Sequence, residues 1–564
     1  MAQTFNRRYL FFGTLLAGAV PPGGFGSVAS LQALGFKSPN EKLNMAAIGC
    51  GGQPFADLRQ AAGQVENVVA LADVDWERGA PGFNQWPKAT RYKDFRQMLD
   101  KQGKEIDAVV IGTPDHNHAY CALACMQLGK HIYVEKPLTR TSWESRILTN
   151  AAEKYRVATQ MGNQGYSHDA TRVACEIIWS GEIGDVTEVH AWTGRASWPQ
   201  EMTKIPPPTP VPETLDWDVW LGTAAWRPFT AGDEEYRQFV AERNARGGRG
   251  RGAAAAGRPE AAAAAAGRGQ TGRGGGGGMM GGDYGFYLPF NWRGFYDFGS
   301  GLIGDWGVHI LGPANWALQL HPRYLVSVEC VKKNTLPPFT FPDELTIRYE
   351  FAARPGMPPV TVYWYHAPGG NPYLPPGMTV EEARPIPGKG PQVGPGRGQG
   401  GFFPGTGGGA APPAAAAAPT ATPQAGRGGA GGGGQGLGYN CIFAGTKGYL
   451  GTSGRGEGVG LLPGARWAEY RLPDPYLPRS PGASTGSNHA AHCRDWIRAC
   501  KGGAPACSNF SIAGPYCEWL LLGAAAIHYE GKLLWDNTKG EFTNNRDANR
   551  WVRAVYRKGW EVKL

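Results

Sequence analysis

The rhythm of hydrophobic and polar positions changes partway along the chain, and that change divides it into two domains. Between residues 43 and 164, short apolar runs at 43–49, 67–73, 107–114, 131–138 and 157–164 alternate with stretches of helical spacing. Uninterrupted Val-, Ile- and Ala-rich runs of this length, separated by helices, suit strands buried on both faces of a parallel sheet. From residue 185 the runs lengthen and alternate, as at 186–192, 345–351 and 360–365. Alternation predicts half-buried strands of an open, largely antiparallel sheet with helices on one face. Near the C-terminus, 488–497 and 512–529 return to helical spacing, and the second of these helices is expected to pack back on the first domain. The predicted fold class is α/β. A doubly wound parallel sheet over 42–165 is followed by an α+β domain over 166–564.

Two stretches fall outside this pattern. Residues 243–282 and 384–438 are almost entirely Gly, Ala, Pro, Arg and Gln, too poor in apolar area to offset chain entropy, and are expected to be disordered surface insertions. They also alter the reading of charge. The net +9 suggests a polyanion partner, but 243–282 alone holds seven Arg against one Glu, leaving +3 for the rest. The Arg-Gly repeats lack interleaved aromatics, so no nucleic-acid partner is expected. Asn6-Arg7-Arg8, the apolar run to Val20 and the small residues near Ala29 predict a twin-arginine export signal over 1–35, with no other membrane contact. A periplasmic or otherwise exported protein follows. The ten cysteines form no Cys-x-x-Cys pair, so no metal site is expected and most should behave as small core hydrophobes.

Candidate chemistry begins at Gly49-Cys50-Gly51-Gly52-Gln53-Pro54, a glycine turn with a strand before it and a helix after it. That context makes it a Rossmann dinucleotide fingerprint, with Gly49, Gly51, Gly52 and Gln53 approaching a pyrophosphate at a helix N-terminus. Pro54 stands where the pattern wants glycine for close helix-to-strand packing, and binding is expected to survive with a slightly altered approach. Asp73 falls about twenty residues after the turn, where a carboxylate bonds the ribose. It favours NAD, although Arg78 close behind leaves NADP possible. Thr113 and Pro114 end another strand on the ligand-binding edge, His118 is placed as cleft-lining, and Asn163 and Gln164 end the last strand. His489 and His492 read as structural.

The densest chemistry lies in Glu135-Lys136-Pro137 at a strand's end and in the segment from Asp305 to His309. Four residues apart on a helix, Asp305 and His309 would share a face within reach of one another. With the phrases at 217–222 and 292–299, these motifs resemble the Gfo/Idh/MocA family of NAD(P)-dependent sugar and polyol oxidoreductases, in its exported bacterial branch. The resemblance implies that Lys136, Asp305 and His309 are catalytic, that Glu135 and Lys136 flank the nicotinamide, and that the open sheet is covered in a homo-oligomer. The substrate would be a small sugar or polyol. Two rivals stand beside net dehydrogenation: a glycosidase or lyase of this fold that recycles tightly held NAD, and a non-catalytic exported sugar-binding protein.

Overall fold

The computed structural model describes residues 41–248, 285–391, 393, 437–479 and 488–564. The expected export signal lies outside the described residues, as does most of both insertions. Among the described residues no helix is long and apolar enough to cross a membrane.

The first sheet is formed by β1 (Asn44–Ile48), β2 (Asn67–Ala72), β3 (Thr90–Tyr92), β4 (Ala108–Ile111), β5 (His131–Val134) and β6 (Thr159–Met161). All its pairings are parallel, in the order β3-β2-β1-β4-β5-β6. Strand order reverses between β1 and β4, which opens a crevice at their carboxyl ends where ligands bind in such sheets. β4 and β5 are wholly buried, which explains the unbroken apolar sequence of β4 and the Ile-Tyr-Val run that follows His131 in β5. Helix α1 (Gly52–Ala62) follows β1, α2 (Asp115–Gln127) follows β4, and α3 (Ser142–Tyr155) follows β5. Thr141 and Glu144 close a capping box on α3 and fix where it starts.

The second sheet contains β7 (Val186–Thr193), β8 (Leu325–Lys333), β9 (Leu345–Phe351), β10 (Val360–His366), β11 (Cys441–Gly445), β12 (Gly448–Ser453), β13 (Gly458–Leu462), β14 (Leu533–Asp536) and β15 (Glu541–Phe542). Its order is β13-β12-β11-β7-β10-β9-β8-β14-β15, and β10 with β7 is its parallel pair. In β9 and β10 every second residue is buried and the others are half-buried, which is the one-sided burial that alternation predicts.

Both late helices return to the first domain. Helix α4 (Asn488–Cys500) places Cys493, Trp496 and Cys500 in one core with Leu58 and Ala62 of α1 and Val110 of β4. Their spacing of three and four residues forms the apolar stripe that a packed helix needs. Helix α5 (Phe510–Ala526) packs on α3, where a side chain on Gly514 would come within 1.8 Å of Thr149 Oγ1. The nucleotide domain is therefore completed from the far end of the chain, beyond the boundary at 165 that the sequence suggests.

The edges of both insertions fold. The helix Glu234–Gly248 runs through the expected start at 243. Arg243 is buried, its Nη1 and Nη2 donate to the two carboxylate oxygens of Asp343 at 3.0 and 2.7 Å, and Nη2 also reaches Ala196 O at 3.2 Å. At the second insertion Arg384 O lies against Gly464 and Gly390 against Trp467 while 386–389 are exposed, and Leu437 is fully buried. The composition of 243–282 and 384–438 hid these edges because one arginine or leucine does not change an average.

Candidate active site

The turn after β1 is shaped by glycine. Gly49 has φ +88 and Gly52 has φ +61, and a Cβ on Gly51 would lie 2.1 Å from Arg78 O. Pro54 sits in the first turn of α1 with its ring against Gly112 at the end of β4, where a Cβ would approach Pro54 Cβ to 2.4 Å. The close packing that glycine at 54 would allow is thus provided by glycine at 112. The Arg78 guanidinium faces Gly52, so a cation joins the helix N-terminus at the place for a phosphate. Asp73 ends β2 and accepts from Cys50 N at 2.7 Å and Asp75 N at 3.0 Å. Burial pushes its carboxyl up to about 6, against the two backbone donors. Each oxygen keeps a lone pair for a ribose hydroxyl. Gln53 instead turns its side chain inward and donates to Asp57 Oδ1 at 2.9 Å.

At the carboxyl end of β5, Lys136 precedes a cis peptide bond to Pro137. Its Nζ donates to Asp305 Oδ1 at 2.5 Å and to Asp305 O at 3.1 Å. Arg293 Nε donates to the same Oδ1 at 3.2 Å, while its guanidinium lies over the rings of Phe290 and Trp292 at 3.8 and 4.2 Å. Burial would raise the Asp305 carboxyl, but Lys136 and Arg293 outweigh it and hold the group below the usual carboxylate range. Asp305 is therefore a fixed anion that aims the lysine.

The predicted single helix through Asp305 and His309 is broken. Gly301–Asp305, Gly307–Ile310 and Gly312–Ala317 are three separate short helices. Asp305 bonds Lys136 and Arg293 rather than His309, whose buried Nδ1 has no partner. Burial, then the charge of Lys136, drives the His309 pKa well below its ordinary value, so the ring is neutral. Lysine and histidine are brought together through space, across a break that the four-residue spacing conceals.

Other predicted ligands have structural work. His118 is buried with its Nδ1 2.8 Å from Pro137 O and its Nε2 2.8 Å from Thr113 O, so it ties the ends of β4 and β5 together and does not line a cleft. Thr113 Oγ1 bonds Pro114 O at 3.3 Å, and Pro114 begins α2. Glu135 Oε2 accepts from Lys136 N at 3.2 Å, and its carboxyl turns down beside Gly162 and Tyr133. Burial and the neighbouring Asp57 push the Glu135 pKa well above its ordinary value. Asp57 in turn pairs with His489 Nε2 at 2.6 Å. Asn163 accepts from Ser508 Oγ at 2.6 Å, its buried Nδ2 has no partner, and Gln164 is buried at the start of the 3-10 turn Gln164–Ser167.

The sequence did not single out Arg293 or Asp115. Arg293 stands inside 292–299, a phrase read only for its resemblance. Asp115 accepts from Ser300 N at 3.1 Å and Oγ at 2.7 Å, anchoring the approach to Asp305 on the end of β4, and burial pushes its pKa to about 7.

Residues 43–163 match the GFO_IDH_MocA family model, described as an oxidoreductase family with an NAD-binding Rossmann fold. Inositol 2-dehydrogenase 1 of Saccharopolyspora erythraea is 30% identical over 152 residues, which is 26% of this chain and 44% of the relative. Levoglucosan dehydrogenase of Pseudarthrobacter phenanthrenivorans is 30% identical over 116 residues, 21% of this chain and 29% of the relative. The chain thus spans less than half the length of either. A solved inositol dehydrogenase homolog of Azotobacter vinelandii, complexed with NADH and myo-inositol, is 15% identical with a TM-score of 0.46, covering 89% of this chain and 100% of that one. Residues 43–163, with their parallel sheet and the glycine turn at its switch point, are thus similar to the NAD-binding Rossmann domain of the Gfo/Idh/MocA oxidoreductase family.

Proposed function

We propose that the chain is a nicotinamide-dependent oxidoreductase acting on the hydroxyl-bearing carbon of a carbohydrate or polyol, exported through the twin-arginine route. The observation that carries the reading is Lys136, clamped by Asp305 at the carboxyl edge of an NAD-binding sheet, with a neutral, unpartnered His309 ring nitrogen in its field. The Gly49–Gly52 turn with Arg78 fits a pyrophosphate, and Asp73 fits a ribose hydroxyl. When bound, the nicotinamide ring supplies the hydride acceptor. Lys136 donates to the substrate hydroxyl oxygen and favours its developing negative charge. His309 takes the hydroxyl proton, for which a neutral imidazole is required. Asp305 stays ionised and holds the ammonium in line. Export rests on Asn6-Arg7-Arg8 and the apolar run behind it.

The test follows the electrons. Purified protein is incubated with sugars, polyols and glycosides in deuterated water, while reduced nicotinamide and deuterium beside the oxidised carbon are measured. NADH in proportion to product, without deuterium uptake, is expected. Lys136→Ala and His309→Ala should each lower the rate by about 10²- to 10⁴-fold. Bond cleavage with deuterium exchange and no net NADH would replace this reading with the redox-cycling glycosidase or lyase. Sugar binding without turnover would leave a binding protein.

A further inference from the structure

A cation near the reaction centre is held in place by its backbone and forms no ion pair among the described residues. Arg455 lies in the turn joining β12 to β13, and that turn is pinned on several sides. Gly454 N donates to Asn440 Oδ1 at 3.1 Å, Gly456 N to Ser453 O at 2.8 Å, and Thr171 Oγ1 to Gly456 O at 3.4 Å. Gly165, beside Gln164, approaches the Arg455 carbonyl so closely that a Cβ would stand 2.2 Å away. The side chain then extends over Trp306, with its guanidinium 5.6 Å from the ring centroid. The Trp306 ring in turn stands 6.0 Å from the His309 ring, centroid to centroid, so that indole separates Arg455 from the candidate base. Among the described residues no carboxylate comes within ion-pairing distance of this guanidinium. Glu457, two positions on, accepts from the Arg455 backbone N–H and lies in the field of the guanidinium without forming an ion pair with it.

The surrounding charges are unbalanced. Besides burial, the charges of Lys136 and Arg455 oppose an imidazolium at His309, while burial holds His168 and His492 at about 3 and about 4 and so keeps those rings neutral. Arg172, also buried nearby, donates to the carbonyls of Pro478, Tyr166 and His168. On the acidic side, Asp305 is used by Lys136 and Arg293, while burial pushes Asp115, Asp57 and Glu135 towards their protonated forms. A guanidinium with no ion pair, one indole away from His309, is a seat for a planar anion, and arginine binds carboxylates in a two-pronged geometry.

We propose that the substrate is an acidic carbohydrate, a polyhydroxylated carboxylate of the uronic or aldonic class, whose carboxylate is held by Arg455 while a hydroxyl meets Lys136 and His309. The fate of that hydroxyl rests on the oxidoreductase reading above, whereas the binding of the carboxylate does not. The bound carboxylate also has a mechanistic use. Its negative charge offsets the cations around His309 and makes the ring a better proton acceptor when substrate is present.

The experiment uses the full chain loaded with NAD and matched probes: glucose with glucuronate and gluconate, and galactose with galacturonate. Binding is read by calorimetry and turnover by NADH formation. At least one acid should bind about tenfold or more tightly than its neutral partner, the value of one charge-assisted hydrogen bond. Arg455→Gln should bring that ratio to about one, and Arg455→Lys, which keeps the charge but loses the fork, should fall between. Neutral sugars binding as well as the acids, no acid binding at all, or a preference that survives in Arg455→Gln would each overturn the proposal. Arg455-dependent acid binding without NADH would sustain the subsite and refute the dehydrogenase reading instead.

Discussion

The pairing of Pro54 with Gly112 tests whether the nucleotide turn is held as the structure implies. Replacing Gly112 by Ala puts a methyl group 2.4 Å from Pro54 Cβ, 2.6 Å from Cγ and 3.0 Å from Cδ. Carbon atoms are at their optimum near 3.5–4.0 Å, so α1 or β4 must yield by about 1 Å. Forcing a methyl into a packed site costs about 1–3 kcal/mol. Because Pro54 lies in the first turn of α1, the displacement falls on the turn that receives the pyrophosphate. NAD affinity should therefore drop roughly 5- to 150-fold, the same energy expressed as a binding ratio. The rescue is specific. Pro54→Ala keeps the Cβ that makes the closest contact and should restore little, whereas Pro54→Gly removes it and should recover most of the loss. Titrating nucleotide-free protein with NAD, by quenching of its tryptophan fluorescence, measures the parent, the single variants and the two double variants as two double-mutant cycles. Gly112→Ala binding within twofold of the parent, or failure of Pro54→Gly to rescue, would refute the reasoning.

The remaining predictions concern stability, pH and cofactor choice. Deleting 249–282 should leave the melting temperature nearly unchanged, whereas a deletion beginning at 243 should cost about 2–4 kcal/mol, because Asp343 then keeps only the 3.3 Å contact from Arg195 in a buried place. Equal melting of the two deletions by calorimetry would dismiss the Arg243 anchor. Because the pKa of His309 is driven well below 6.5, the kcat/KM profile should stay flat as pH falls through 6.5, with any acid limb lying lower; a limb near 6.5 that disappears in His309→Gln would contradict this. NAD should bind at least about tenfold better than NADP, since the Asp73 carboxylate accepts from a ribose hydroxyl and repels a 2'-phosphate, and Asp73→Asn should narrow the gap. Equal affinities in the parent protein would show that Arg78 decides instead.

The sequence by itself determined what local rules can carry. Wholly apolar β4 and the apolar run in β5 announced a parallel sheet, and β9 and β10 announced one-sided burial through alternation. The glycine turn announced a nucleotide because its strand and helix stand next to it in the chain. Lys136, Asp305 and His309 were legible as residues, since their motifs are short and continuous. Only the tertiary structure decided how they meet. The expected Asp305–His309 helix is broken near Trp306, so the aspartate goes to Lys136 and Arg293 and the histidine is left free. His118 looked available because a histidine after a strand carries no mark of the two backbone carbonyls that will surround it. Arg243 was hidden by its neighbours' composition, and its partner lies 100 residues away. Local pattern reports burial and turn chemistry because these depend on adjacent residues; charge pairing depends on distance through space, and the sequence does not contain that distance until the chain has folded.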